Sequence, residues 1–317
     1  MTSLAQFAMI ASIISVVLPA KSVHAQTLSE SSWVSPNGND GNQSSGCQST
    51  APCQSFQAAL NATLAGGTIS CVEPPFTPGP LTITQDVIID CSGGIVTGDF
   101  IFHNPAITIA SKINVILRGL TITGGETAVA GINVTAGATI RIEQCKIFQF
   151  ETGVLIAPTS GNASIKVQDS TISRNSAAGV KVEPTGGATV QIEFERSQSE
   201  HNTGGGFRVQ TTGAGSVTAS IWDSSIGLNG ANGLIALSGP SGSILVNLTN
   251  DILASNVLAG VEANQSAGGS AVVTVSRSTL SNNGSAWESV DGGTLLSFEN
   301  NEVTGPIGTP PNHASFQ

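Results

Sequence analysis

Side chains able to do chemistry are scarce in this sequence, since only 10% of its 317 residues are charged and tyrosine is absent. The densest group is "EFERSQSEH", which holds Glu193, Glu195, Arg196, Glu200 and His201. A strand here turns Phe194 inward and leaves Glu193 and Glu195 on the outer face, about 6–7 Å apart. Carboxylates at that spacing suit glycoside hydrolysis, and equally suit a solvated strand. A second group joins Lys181 and Glu183 of "GVKVEP" to Arg208 and Gln210 of "GGFRVQ". Side by side they form a polar patch that can clamp an anionic sugar, or let Arg208 act as a base beside Lys181. The plainer reading is a surface ion pair between Glu183 and Arg208, worth little in water. The catalytic candidates are therefore Arg208, Lys181, Glu193 and Glu195, and the binding candidates Lys181, Glu183, Arg208 and Gln210. His201 has no second histidine near it, so no metal site is expected. The triple glycine of "HNTGGGFRV" is followed by neither a lysine nor a helix, so no phosphate cradle and no cofactor is predicted.

What brings those residues together is a repeat. Asn175, Asn202, Asn229, Asn256 and Asn283 recur every 27 residues. Four positions later stand Gly179, Gly206, Gly233 and Gly260, with Trp287 in the fifth slot. Val180, Phe207, Leu234 and Val261 follow them, and Glu288 takes that place in the last copy. Inside each unit, "GVKVEP" and "ATVQIEF" alternate with period two between Gly, Ser, Asn and Pro, and nothing reads as a helix. A fixed period of this length means a solenoid of stacked strand coils. Asparagine in one slot suits a left-handed backbone and an amide ladder, and glycine in the next suits a tight corner. Gly204 and Gly205 fill slots that read Ala177–Ala178 and Ala231–Asn232 elsewhere, so glycine there is expected to be optional. In this register one outward column runs Asn133, Leu155, Lys181, Arg208, Ile235, Glu262 and Ser289. A second runs Thr135, Ala157, Glu183, Gln210, Leu237, Asn264 and Asp291. A third places Arg141 before Lys166, Glu193, Ser220, Asn247 and Thr274. About nine coils give a rod roughly 40–45 Å long.

The ends are read differently. Residues 1–25 carry the apolar run "FAMIASIISVVLPA" and then "VHA", which together predict a secretory signal cut before Gln26. The apolar run is short for a membrane span, and no other stretch is long enough. Residues 26–90 are expected to form a cap, 91–305 the helix of strands, and 306–317 a flexible tail. "SFQAALNATLAGGTI" is the one helix candidate, with Ser55 as its cap, Phe56, Ala59, Leu60 and Leu64 on one face, and Gly66–Gly67 as its stop. An exported chain favours disulfides over metal thiolates. Proximity suggests Cys47 with Cys53 and Cys71 with Cys91, although sequence leaves other pairings open. Cys145, within "IRIEQCKIF", reads as a buried free thiol.

The coil "N-x-x-x-G-V-x-V" resembles the single-stranded right-handed parallel β-helix of the pectate-lyase-like superfamily. The N-terminal part, from "WVSPNGNDGNQ" to "LTITQDVIIDC", is similar to a group of exported bacterial β-helix proteins. The resemblance covers nearly all of the chain after residue 25 and implies an all-β fold. It also implies marks of polysaccharide cleavage, but no Asp-Asp, His-Gly or Arg-x-Lys occurs, and the eight aspartates stand singly. The missing tyrosine and three tryptophans leave few stacking platforms for sugar rings. A net charge of −10 argues against nucleic acid and anionic membrane as partners. The sequence therefore predicts a secreted or periplasmic protein that is structural or binds a polysaccharide or envelope glycan. The alternative is a lyase or hydrolase of acidic polysaccharide.

Overall fold

The computed structural model describes residues 28–74, 76–77, 80–98, 103–125, 128–266, 268–298 and 300–314. The expected signal segment lies outside them. Three parallel sheets of twelve, nine and ten strands run along the molecule, and each coil gives one strand to each. One coil shows the plan. Ala178–Val182 joins the nine-stranded sheet, Thr189–Glu195 the twelve-stranded sheet and Gln198–Glu200 the ten-stranded sheet. Gly205–Gln210 then lies on Ala178–Val182 and begins the next coil. The nine-strand count agrees with about nine coils among the described residues.

Alternation is what makes these segments strands. Val180, Val182, Val190, Ile192 and Phe194 point inward, and all are buried. No coil can bury that set alone, so each is completed by the coils on either side. Phe194 and Phe207 meet edge-to-face in this interior, with ring centroids 5.6 Å apart.

The asparagine ladder is present and buried. Asn229 Oδ1 accepts from the backbone and side-chain amides of Asn202, both at 3.0 Å. Its own amide donates to Asn256 Oδ1 at 2.9 Å, and the same bonds recur from Asn175 to Asn283. The left-handed residue is not the asparagine but the one before it: Arg174, His201, Leu228, Ser255 and Asn282 have φ of 54–58°. The ladder amide needs an ordinary backbone to point along the stack, so the turn is made one residue earlier. Gly206 has no positive φ either. A Cβ there would lie 2.6 Å from Asn229 Nδ2 and 2.9 Å from the Gly233 carbonyl, so the corner glycine makes room for the ladder. In the last coil the register slips by one residue. Trp287 pairs with Val261 and faces the core, Glu288 pairs with Glu262, and Ala286 takes the corner. Glu288 and Val290 therefore end the outward columns, in place of Ser289 and Asp291. Alanine fits because no ladder asparagine follows Asn283. Gly204 is not optional, since a Cβ there would run into the Ala177 carbonyl.

At the N-terminal end the helix spans Phe56–Ala62, with the Ser55 hydroxyl accepting from Ala58 N at 3.1 Å. It stops sooner than expected. Thr63 is already extended and opens the strand Thr63–Cys71, which carries Leu64 to the surface and away from the helix face. Cys47 is bonded to Cys53 and Cys71 to Cys91, and Cys145 is the buried free thiol. At the other end the tail is structured as far as it is described. Pro306 and Ile307 carbonyls accept from Ala286 and Trp287, and Asn312–Ala314 pairs with Leu296–Phe298.

Candidate functional site

The outer face of the nine-stranded sheet carries the first predicted patch. Lys181 and Arg208 stand in register, with Ile235, Glu262 and Glu288 on the following strands. The expected Glu183–Arg208 pair does not form. Lys181 Nζ lies 2.6 Å from Glu183 instead. Arg208 Nε donates to Gln210 Oε1, and the Gln210 amide donates to Glu183. Among the described residues no carboxylate lies within ion-pair distance of Arg208. Beside it opens a groove of about 340 Å³ lined by Lys181, Gly204, Gly205, Asn232, Ile235 and Leu258, among others.

The outer face of the twelve-stranded sheet carries the second. Glu193 and Glu195 both point outward, as the alternation requires, but neither is free. Lys166 Nζ lies 2.7 Å from Glu195 and 3.6 Å from Glu193. Arg196 reaches Glu195 and, at 2.9 Å, Asp169. That guanidinium holds the Asp169 carboxyl below its ordinary range. Nearer the cap, Arg118 lies 2.8 Å from both Asp90 and Glu143, which raises its own pKa, and Arg141 adds a contact to Glu143 at 2.6 Å. These contacts make one stripe of mutually satisfied charges. The stripe ends at Trp222, which is in register with Glu195 and Thr249.

Trp222 is the residue that sequence reading missed, because a bare count of three tryptophans does not say which of them stand outward in a strand, as Trp33 and Trp222 both do. Lys166 approaches its ring from the preceding coils, 5.7 Å from the centroid. Toward the following coils a groove of about 340 Å³ opens, lined by Trp222, Ser220, Asp223, Asn247, Thr249 and Arg277. No carboxylate among the described residues pairs with Arg277. A signal was available, since Trp222 lies next to the outward column of Ser220 and Asn247. Among the described residues no cluster of three or more His, Cys, Asp or Glu is arranged to hold a metal. No helix of the described residues is long and apolar enough to cross a membrane.

Stacked parallel coils closed by three sheets define a right-handed parallel β-helix. The chain belongs to the β-helix family whose pattern is described as "Right handed beta helix region", matched over residues 82–218 and 152–310. The crystal structure of the pectate lyase Pel9A is similar, with a TM-score of 0.67 at 19% identity over 92% of this chain and 80% of that one. At that identity the likeness is one of fold. A GH136 lacto-N-biosidase from Eubacterium ramulus also aligns, with a TM-score of 0.39 at 11% identity over 86% of this chain and 67% of that one. No curated protein matches.

Proposed function

We propose that this chain binds an extended polysaccharide on the outer face of its twelve-stranded sheet. The observation that carries the reading is the groove beside Trp222. An outward indole ringed by hydroxyl, amide and guanidinium groups and the Asp223 carboxylate offers a sugar both an apolar face and hydrogen-bond partners. Arg277, paired with no carboxylate among the described residues, suits the carboxylate of an acidic sugar. Strands repeating every 4.8 Å or so present such groups along a line, which favours a chain over a single sugar. Relatedness of fold to a pectate lyase supports a polysaccharide ligand. Binding is favoured over cleavage because Glu193 and Glu195 are held by Lys166 and Arg196 rather than poised over the groove. Two disulfides support an oxidising, extracellular setting.

Affinity electrophoresis in gels cast with polygalacturonate tests this. Wild type is expected to be retarded, and Trp222→Ala and Arg277→Ala to lose at least about tenfold in affinity, the scale of one lost stacking or charge-assisted contact. Equal retardation of Trp222→Ala and wild type ends the reading. Release of unsaturated oligosaccharides by wild type replaces it with the lyase alternative.

A further inference from the structure

The outer face of the nine-stranded sheet is complementary to itself, and we propose that it is the interface of a two-fold homodimer. Its central column reads Lys181, Arg208, Ile235, Glu262 and Glu288 on five successive strands. Two cations, one apolar residue and two anions therefore lie in a row. Lay a second copy face to face about an axis parallel to the strands through Ile235, and the stack direction reverses. Arg208 then meets Glu262 of the second copy, Lys181 meets Glu288, and Ile235 meets Ile235. In the neighbouring column the same operation sets Gln210 against Asn264 and Leu237 against Leu237, while Glu183, already held by Lys181, faces Val290.

Shape follows the same symmetry. Leu258 is 53% exposed and stands at the corner beside Glu262. The operation carries it to the hollow beside Arg208, whose floor is Gly204 and Gly205. Leu258 is also the far wall of that same groove within its own chain, so the two-fold sets the Leu258 wall of each copy against the glycine side of the other. Among the described residues Arg208, Glu262 and Glu288 have no ion-pair partner. Arg208 donates only to Gln210, and Glu262 accepts only from the neutral amides of Asn232 and Asn264, so their charges are left to be matched across such an interface. The face measures about 20 Å by 24 Å over five coils, roughly 1,000 Å² in total for two copies, the lower limit for a specific interface. The dimer is accordingly reversible, concentration-dependent and weakened by salt.

Sedimentation velocity on the full protein tests this with two charge variants. Lys181→Glu with Arg208→Glu makes the column acidic throughout, and Glu262→Lys with Glu288→Lys makes it basic. Wild type is expected to dimerise at about 100 μM in low salt, with dissociation favoured about tenfold or more at high salt. Each variant alone is expected to stay monomeric, and an equimolar mixture to form the heterodimer. Circular dichroism reports whether each variant is folded, and Leu258→Asp offers a second, single-site disruption. A wild type that stays monomeric overturns the proposal, as does a dimer indifferent to all three changes. Because Trp222 lies on another sheet, loss of dimerisation and loss of glycan retention are separable results. Retardation by polygalacturonate that Arg208→Glu abolishes in a monomeric wild type assigns this face to glycan instead.

Discussion

Asp251 sits where its neighbours along the stack carry serine. Ser170, Ser197, Ser224 and Ser278 form a second buried ladder, in which each side-chain oxygen accepts from the backbone of the previous coil. Asp251 Oδ1 accepts from Ser224 N at 2.9 Å and Oδ2 from Thr249 N at 2.8 Å. Two donors do not offset burial at 1% exposure, and its pKa is pushed up to about 7. The folded chain then keeps a proton that the unfolded chain releases above its ordinary value of about 3.9. Stability from this residue is full at low pH and falls between about pH 4 and 7, by up to ~1.4 kcal/mol per pH unit. Asp251→Ser restores the repeat's own solution and is expected to raise Tm at pH 8 while leaving it nearly unchanged at pH 4. An equal Tm change at both values rejects this account. Leu228 poses a simpler case. It is half exposed with φ of 57°, so Leu228→Asn is expected to stabilise by about 0.5–1 kcal/mol, measured by chemical denaturation.

At the scale of the coil, the asparagine ladder has the largest expected effect. Asn229→Ala leaves the backbone and side-chain amides of Asn202 without their acceptor in a buried wall. Stranded donors cost ~1–3 kcal/mol each, so a loss of about 3 kcal/mol is expected, and a shift in denaturation midpoint worth under 1 kcal/mol contradicts it. Asparagine at a constant interval was readable in the sequence because it is uncommon inside proteins and its spacing never wavers. The serine ladder was not readable, since serine is abundant throughout this chain and one ladder slot holds aspartate. The same register carried the outward columns correctly from Asn133 to Glu262. It failed in the last coil, where one residue is missing between Asn283 and the strand and nothing in the local pattern marks the gap. The candidate patches were legible as neighbours but not as partners. Register sets which strands adjoin, whereas Lys181 choosing Glu183 over a cross-strand contact depends on side-chain reach.

Over the whole molecule, each coil contacts the one before and the one after, so stability is a chain of nearest-neighbour terms with two ends to protect. The ends differ. At the start, Ser55 caps a short helix whose Phe56 and Leu60 are buried, and Cys71–Cys91 ties the strand Thr63–Cys71 to the next coil. At the far end, among the described residues, no disulfide or helix covers the stack. Backbone bonds from the Pro306–Thr309 segment hold Ala286 and Trp287, the strand Asn312–Ala314 pairs with Leu296–Phe298, and Asn300 and Asn301 accept from the coil before. Opening is therefore expected to begin at the C-terminal coil in the native protein. The Cys71–Cys91 loop spans 20 residues, so its closure contributes about 3 kcal/mol by loop entropy. Replacing both cysteines by alanine is expected to move the weakest point to the other end. Hydrogen exchange measured along the chain separates the cases: amides up to about Arg118 should lose protection in the double variant, while those between Asn175 and Asn256 keep theirs. Uniform loss of protection along the stack means instead that the coils unfold as one unit, and the nearest-neighbour description fails.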